Sequence, residues 1–252
     1  MITLVLLGAG NVATHLYKAF KASKNISIIQ WYNRSTEHIK QFNNDTAICD
    51  DITKLQEADV YILAVSDDAI AKTSDSLPFE NRLIVHTSGS VNVHDLNKKN
   101  KRGVFYPLQT FSKDVDIEFC DVPICVEALD KENIATLKLL AQEINSPVYK
   151  ISTEQRQTLH LAAVFVNNFT NHLLRIAHEI TDNKQINFDI LKPLILETAK
   201  KVQHISPYMA QTGPALRKDK STLKRHLKQL EKQSHKDIYT LLTKSIQQTH
   251  GK

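Results

Sequence analysis

The chain has 252 residues, 42% of them apolar and 23% charged, with a formal net charge of +5. That length leaves room for two cores, the composition is that of an ordinary globular protein, and no apolar run approaches the length needed to span a bilayer. The opening residues Met-Ile-Thr-Leu-Val-Leu-Leu carry no basic leader and no small-residue cleavage site, so they read as a strand, and a cytoplasmic protein is the default expectation. Cys49, Cys120 and Cys125 are an odd set without CxxC spacing, which suits buried free thiols in a reducing compartment.

The first predicted strand, Ile2 to Leu7, runs into Gly8-Ala9-Gly10-Asn11-Val12-Ala13, and a helix is expected through about Ser23 with Val12, Leu16, Ala19 and Phe20 on one stripe. This is a GxGxxA turn. Gly8 permits the tight bend, Gly10 lets a pyrophosphate approach the backbone, and Ala13 lets the helix pack closely on the strand. The phosphates would meet the free N–H groups of Asn11 and Val12, where the helix dipole favours negative charge.

A second strand, Ile26 to Tyr32, is followed by Asn33-Arg34-Ser35-Thr36, the place where a dinucleotide site chooses between its two nicotinamide cofactors. No acidic residue precedes Glu37, whereas Arg34 offers a planar donor fork and Ser35 and Thr36 offer hydroxyls, the equipment for a ribose 2′-phosphate. NADP is therefore the expected cofactor, held by Gly8, Gly10, Asn11, Val12, Asn33, Arg34 and Ser35. The plainer alternative is a solvated arginine in a polar turn that caps the next helix.

Further strand-like runs follow at Thr46 to Cys49, Asp59 to Val65, Arg82 to His86 and Arg102 to Phe105, and unbroken apolar runs such as VYILAV suit parallel strands covered on both faces. Ile124 to Glu127 and Val148 to Ile151 extend the sheet, with Lys131 to Ile144 as the helix between them. The expected fold is an α/β doubly wound parallel sheet. In such a sheet ligands sit beyond the carboxyl ends of the strands, so Val65 and Ser66 are expected beside the cofactor, and Thr87, Ser88, Gly89 and Gln109 beside the substrate.

After about Ile151 the pattern turns wholly helical. Glu154 to Thr181 carries Leu161, Val164, Phe165, Phe169 and Leu173 on a stripe, and Phe188 to Ala210 and Ser221 to Gln248 supply further helices. The expected division is a dinucleotide-binding domain over residues 1–151 and an all-α domain for substrate and dimer contacts over residues 152–252. Between Leu216 and Lys236 eight basic residues face two acidic ones. A leucine stripe without interleaved aromatics makes this a solvated face and not a nucleic-acid surface.

The segments LLGAGNVATHL, AVSDDAI, HTSGS, YPLQTF and TGPALRKD, with LHLAAVFVNNFTNHL before the last, resemble in that order the Rossmann-like NADP oxidoreductases with a C-terminal helical domain of unknown function. These are relatives of pyrroline-5-carboxylate reductases and of an alternative type of ketopantoate reductase. The resemblance covers nearly the whole chain. It implies an NADP-dependent reductase of a small carboxylated ketone or imine, ketopantoate-like, that pairs through its helical domains. Tyr106 stands where the family usually has His, and Lys218 where Gly usually follows Arg217; Tyr106 is accordingly given no catalytic role.

A hydride acceptor needs a proton or hydrogen-bond donor at its heteroatom. His160, Asn167, Asn168 and Asn171 fall at relative positions 0, 7, 8 and 11 of the long helix and so on roughly one face, which makes His160, Asn167 and Asn168 the candidate catalytic residues. The alternative is that they bridge neighbouring helices. Thr212-Gly213-Pro214 breaks a helix and puts Arg217 in the first turn of the next, where its fork could clamp a carboxylate; a surface arginine in a linker is the alternative. No HExxH or compact His/Cys cluster points to a metal, so none is expected. A dinucleotide-binding sensor without hydride transfer is the rival reading of the whole chain. A homodimer through residues 152–252 is expected, with the cleft between domains completed by Arg217 of the second copy.

Overall fold

The structure is a computed structural model that describes residues 1–113 and 115–251. Its first unit, Met1–Asn167, is built on eight strands, β1 (Ile2–Leu7), β2 (Ile26–Tyr32), β3 (Ala47–Cys49), β4 (Val60–Leu63), β5 (Leu83–His86), β6 (Lys101–Pro107), β7 (Ile124–Ala128) and β8 (Val148–Lys150). They lie in the spatial order β3-β2-β1-β4-β5-β6-β7-β8. Every pair is parallel except β6 with β7, where Pro107 faces Ile124 and Gly103 faces Ala128 in antiparallel register. The sheet is thus mostly and not wholly parallel: after Pro107 the chain stays at the carboxyl edge and turns back.

Alternation along the strands, broken once in β2, divides two cores. Leu4, Leu6, Val60, Ile62, Leu83 and Val85 point to one face, under α1 (Asn11–Lys21) and α3 (Lys131–Glu143). Val5, Leu7, Tyr61, Leu63 and Ile84 point to the other, where Ile70 of α2 (Asp67–Asp75) closes the core. In β2 the pairing with β1 jumps from Leu4↔Ile28 to Val5↔Gln30. This one-residue irregularity resets the alternation, so that Ile26, Ile28 and Trp31, at spacings of two and three, all reach the α1 face. Trp31 stacks on Tyr17 with ring centroids 4.5 Å apart and donates its indole N–H to the Gly8 carbonyl at 2.6 Å.

The connections differ from a regular βα alternation. Between β2 and β3, and between β5 and β6, the chain makes only single 3-10 turns, Lys40–Phe42 and Val93–Asp95. The face of β6 and β7 left open there is covered by α4 (Thr153–Ala163), whose Leu159 packs with Val93, Val104, Tyr106 and Cys125. Helix α4 begins on a capping box in which Ser152 and Gln155 satisfy each other's backbone N–H groups. The contacts of the chain accordingly divide at Asn167/Asn168, with α4 in the sheet unit.

The second unit, Asn168–Lys252, is helical: α5 (Thr170–Asp182), α6 (Lys192–His204), the single turn α7 (Pro207–Ala210), α8 (Lys220–Gln229) and α9 (Gln233–His250). Two predicted helices are broken. The stretch from Phe188 opens as a 3-10 turn and divides at Ile205, before Pro207, and the stretch from Ser221 divides after Gln229. Among the described residues no helix is long and apolar enough to cross a membrane.

Candidate functional site

Four parallel neighbours, β1, β4, β5 and β6, end at the same edge of the sheet, and the strand order reverses between β1 and β4. Their loops therefore converge there, which is where an open α/β sheet binds its ligand.

The two glycines of the first loop do different work. Gly8 has φ +112°, accepts the Trp31 indole and donates its N–H to Tyr32; a Cβ on it would stand 2.1 Å from the Ala64 carbonyl oxygen. It is the residue that lets β1 turn beside β4. Gly10 precedes α1, and a Cβ there would meet nothing within 4 Å. Helical bonding starts only at Thr14 N–H to Gly10 O, so the amides before it have no acceptor within the helix, an arrangement suited to a pyrophosphate. Val65 lies beside Gly8, and Ser66 stands at the N-cap position of α2 without a side-chain capping bond. Asn11 is placed differently from a pure phosphate contact: its amide donates to the Phe111 carbonyl at 2.7 Å, and His15 Nε2 lies 2.9 Å from the Ser112 carbonyl, so the loop after β6 is tied onto α1. Beyond β2, Asn33 braces its own turn by donating to the Ser35 carbonyl, and leaves Arg34 and Ser35 exposed.

The loop after β5 is held from behind. Arg156, on the second turn of α4, is fully buried and donates from one guanidinium nitrogen to the carbonyls of Ser88, Gly89 and Val91, the last at 2.9 Å, and from the other to Glu127 and Thr153. Thr153 in turn donates its N–H and its hydroxyl to the Glu127 carboxylate. Gln157 takes the remaining carbonyl, that of Ser90. The Ser88 hydroxyl accepts from the N–H groups of Ser90 and Val91, and Ser90 donates to Asp67 at the start of α2. Ser88 is therefore turned inward, while Thr87 is half-buried at the strand end. His86 accepts the Ser88 N–H on Nδ1, and its buried Nε2 has no partner among the described residues. Burial, with the Arg156 charge adding to it, lowers the His86 pKa to about 3.

His160 sits one turn past Arg156. Its ring fills the space above Gly89, where a Cβ would come within 2.5 Å of Nδ1, and that nitrogen is 3.0 Å from the Tyr106 hydroxyl. So Gly89, read from sequence as a substrate contact, is buried and serves as the seat of His160. Gln109 is exposed and its carbonyl oxygen accepts the Thr110 N–H. From Val164 to Phe169 the helix adopts π geometry, and this stretch contains Asn167 and Asn168. An i→i+5 turn changes the phase of every residue beyond it, so the spacing 0, 7, 8, 11 no longer implies one face; such turns are frequent at functional sites. Arg217 is exposed and lies in a turn before α8, not in a helical first turn, with its N–H bonded to Gly213 O. Lys218 has φ +55°, a conformation that costs glycine nothing, which accounts for the glycine expected there. Among the described residues no group of three or more His, Cys, Asp and Glu could hold a metal ion.

Sequence reasoning missed Arg156 and Glu127, and it gave no role to Tyr106, which the structure places beside His160. An arginine in a polar stretch reads as solvated, and only its spacing of four from His160 could have drawn attention to it.

Comparison with known proteins gives two family matches: the NADP oxidoreductase, coenzyme F420-dependent model over residues 3–89, and the domain of unknown function DUF2520 over residues 122–246. A Bacteroides fragilis protein provisionally named an NADP oxidoreductase is 37% identical, with a TM-score of 0.90 and coverage of 100% of this chain and 98% of that one. A Thermotoga maritima protein of known structure shares the fold at 20% identity, TM-score 0.73 and 98% coverage of both chains. So does the Plasmodium falciparum pyrroline carboxylate reductase solved with NADP bound, at 11% identity, TM-score 0.64 and coverage of 99% and 97%. No curated protein matches the chain.

Two expectations follow. Gly8→Ala should destabilise the fold by about 3 kcal/mol or more, from the strained φ and the clash with Ala64, whereas Gly10→Val should leave the denaturation midpoint nearly unchanged and abolish dinucleotide binding; retained NADPH affinity in folded Gly10→Val would remove the pyrophosphate reading. The second concerns acid. Because His86 binds its proton less readily folded than unfolded, its contribution is intact above the ordinary histidine pKa of 6.5 and is lost as pH falls from there toward about 3, amounting to a few kcal/mol. Urea midpoints measured from pH 7 to pH 4 should fall more steeply for the wild type than for His86→Gln; parallel slopes would refute the assignment.

Proposed function

This chain belongs to the NADP oxidoreductase family in which such a domain precedes the helical domain of unknown function, and on that premise we propose that it is an NADPH-dependent reductase of a small carboxylated ketone or imine, with a ketopantoate-like oxo acid as first candidate. What supports the cofactor is the open slot at Gly10, on the free amides of α1 at the reversal of the strand order, together with the exposed Arg34 and Ser35 beyond β2. In this reading the turn from Gly8 to Val12 takes the pyrophosphate and Asn33, Arg34 and Ser35 take the ribose 2′-phosphate. Bound NADPH supplies a hydride.

The chain's own residues then do the rest. As hydride arrives, negative charge builds on the substrate heteroatom, and His160 is the candidate to meet it with a hydrogen bond. Thr87 and Gln109 stand at the same sheet edge to contact the substrate, and Asn167 and Asn168, on the π turn, are candidates to orient its carbonyl. Arg217, exposed and planar, suits the carboxylate.

The test is oxidation of NADPH over a panel of oxo acids and cyclic imines, coupled to titration calorimetry of Arg34→Asp. Turnover with at least one carboxylated substrate is expected, and the substitution should weaken NADPH by roughly 1.5 to 3 kcal/mol through loss of a charge-assisted pair while sparing NADH. Tight NADPH binding without oxidation of any panel member would favour a sensor; equal weakening of both cofactors would undo the 2′-phosphate assignment.

Assembly is part of the same proposal. Beyond Asn167 the buried apolar side chains among the described residues are Ile176 and Ala215, whereas Ile190, Leu194, Met209 and Leu241 are 62% to 70% exposed. Helices that leave their apolar stripes so bare need a further surface, and a second copy supplies a self-complementary one. The chain is proposed to be a homodimer through its helical domain, with Arg217 of the partner subunit completing the site. Sedimentation should give a dimer at micromolar concentration, and Ile190→Glu with Leu194→Glu should dissociate it; a monomeric wild type would exclude this arrangement.

A further inference from the structure

Helix α4 brings His160 edge-on to Tyr106 of β6, with ring centroids 6.0 Å apart and planes at 76°, and the Tyr106 hydroxyl 3.0 Å from His160 Nδ1. The approach depends on Gly89. A Cβ at that position would lie 2.5 Å from Nδ1, 2.6 Å from Cγ and 2.9 Å from Cβ of His160, so any side chain there displaces the ring. Arg156 fixes the Gly89 carbonyl from the preceding turn of the same helix, and loop and ring are thereby held to one scaffold.

Two arrangements could join a neutral imidazole to a phenol: Nδ1–H toward the phenol oxygen, or the phenol O–H toward a bare Nδ1. The second is the stronger bond, because phenol is the better proton donor and the unprotonated ring nitrogen the better acceptor. Tyr106 is suited to the donor role. It is buried among Val93, Val104 and Cys125, and that burial pushes its pKa up to about 12, so it keeps its proton. Once Nδ1 accepts, the single ring proton must reside on Nε2.

We propose that Tyr106 is a positioning residue: by donating its hydroxyl to Nδ1 of His160, across the gap that Gly89 leaves, it holds the imidazole as the Nε2–H tautomer and so presents a hydrogen-bond donor to the substrate heteroatom. The proposal rests on the reductase reading and adds to it the acting nitrogen and the residue that selects it. The bond is a hydrogen bond throughout; no proton leaves Tyr106.

The experiment uses the full-length protein with 15N-labelled histidine, at about pH 8.5 where an ordinary imidazole is neutral, the His160 signals being those lost in His160→Gln. The wild type should show a bare Nδ1 and a protonated Nε2 at His160, and Tyr106→Phe should shift that ring toward a mixture of tautomers. With a substrate identified by the panel, Tyr106→Phe should lower kcat roughly tenfold, a fraction of a general acid–base contribution, while leaving the KM for NADPH unchanged. A proton on Nδ1 in the wild type overturns the proposal, as does an unaltered tautomer in Tyr106→Phe or a loss confined to NADPH affinity. If Tyr106→Phe does not fold, the wild-type spectrum decides alone. The spectrum needs no turnover, so a correct tautomer in a protein that oxidises no NADPH would sink the reductase reading and leave the tautomer assignment standing.

Discussion

The candidate site depends on one buried charge. A guanidinium taken out of water costs several kcal/mol unless it is paired and hydrogen-bonded, and Arg156 offsets part of that cost through Glu127, Thr153 and three carbonyls of a single loop, while its buried Nε has no partner among the described residues. Those partners belong to β7, α4 and the segment after β5, which reaches β6 through a single 3-10 turn and no α-helix. The ion pair does what a crossover helix does elsewhere in such sheets: it sets how α4 lies on β6 and β7. With α4 set, His160 can fall only over Gly89.

The cofactor side is fixed by apolar packing instead. The irregularity in β2 brings Trp31 to the α1 face, the indole reaches the Gly8 carbonyl, and Gly8 admits the close passage of Ala64. The turn that would receive a pyrophosphate is thus anchored by core residues on one side and left bare at Gly10 on the other. Loop and helix are also joined, since Asn11 and His15 grip the carbonyls of Phe111 and Ser112. An element of the expected substrate side, the loop after β6, therefore rests on the helix that begins the cofactor turn.

Much of this was legible in the sequence, and the rest was hidden for physical reasons. Apolar runs such as Val60 to Leu63 announce a strand buried on both faces, and the eight strands fall where those runs are. The same runs say nothing of direction, so the reversal into β7 was not readable. The order Gly8, Gly10, Ala13 gave the turn because each position has a distinct steric duty. Arg156 was invisible because burial of a charge is decided by partners 29 and 65 to 68 residues away. The π stretch at Val164–Phe169 was equally hidden: periodicity assumes a constant turn, and one wider turn changes the face of everything after it.

Tyr106 shows how a departure from a family pattern is to be read. Taken as the loss of a titratable group, it argues against a role; placed beside His160 Nδ1, it is a donor that stays protonated where a histidine would itself exchange between tautomers. What the pair needs from this position is a fixed donor at a fixed distance, and a phenol on a central strand supplies that with one fewer state to control. Strand β6 is the right carrier, because its alternation points Tyr106 and Val104 to the α4 face while Phe105 serves the other core. A shift of one residue in that strand would send the hydroxyl to the α1 side and leave His160 facing a bare sheet. The register of β6 against β5 and β7 is therefore as much a determinant of the proposed chemistry as the side chain it carries.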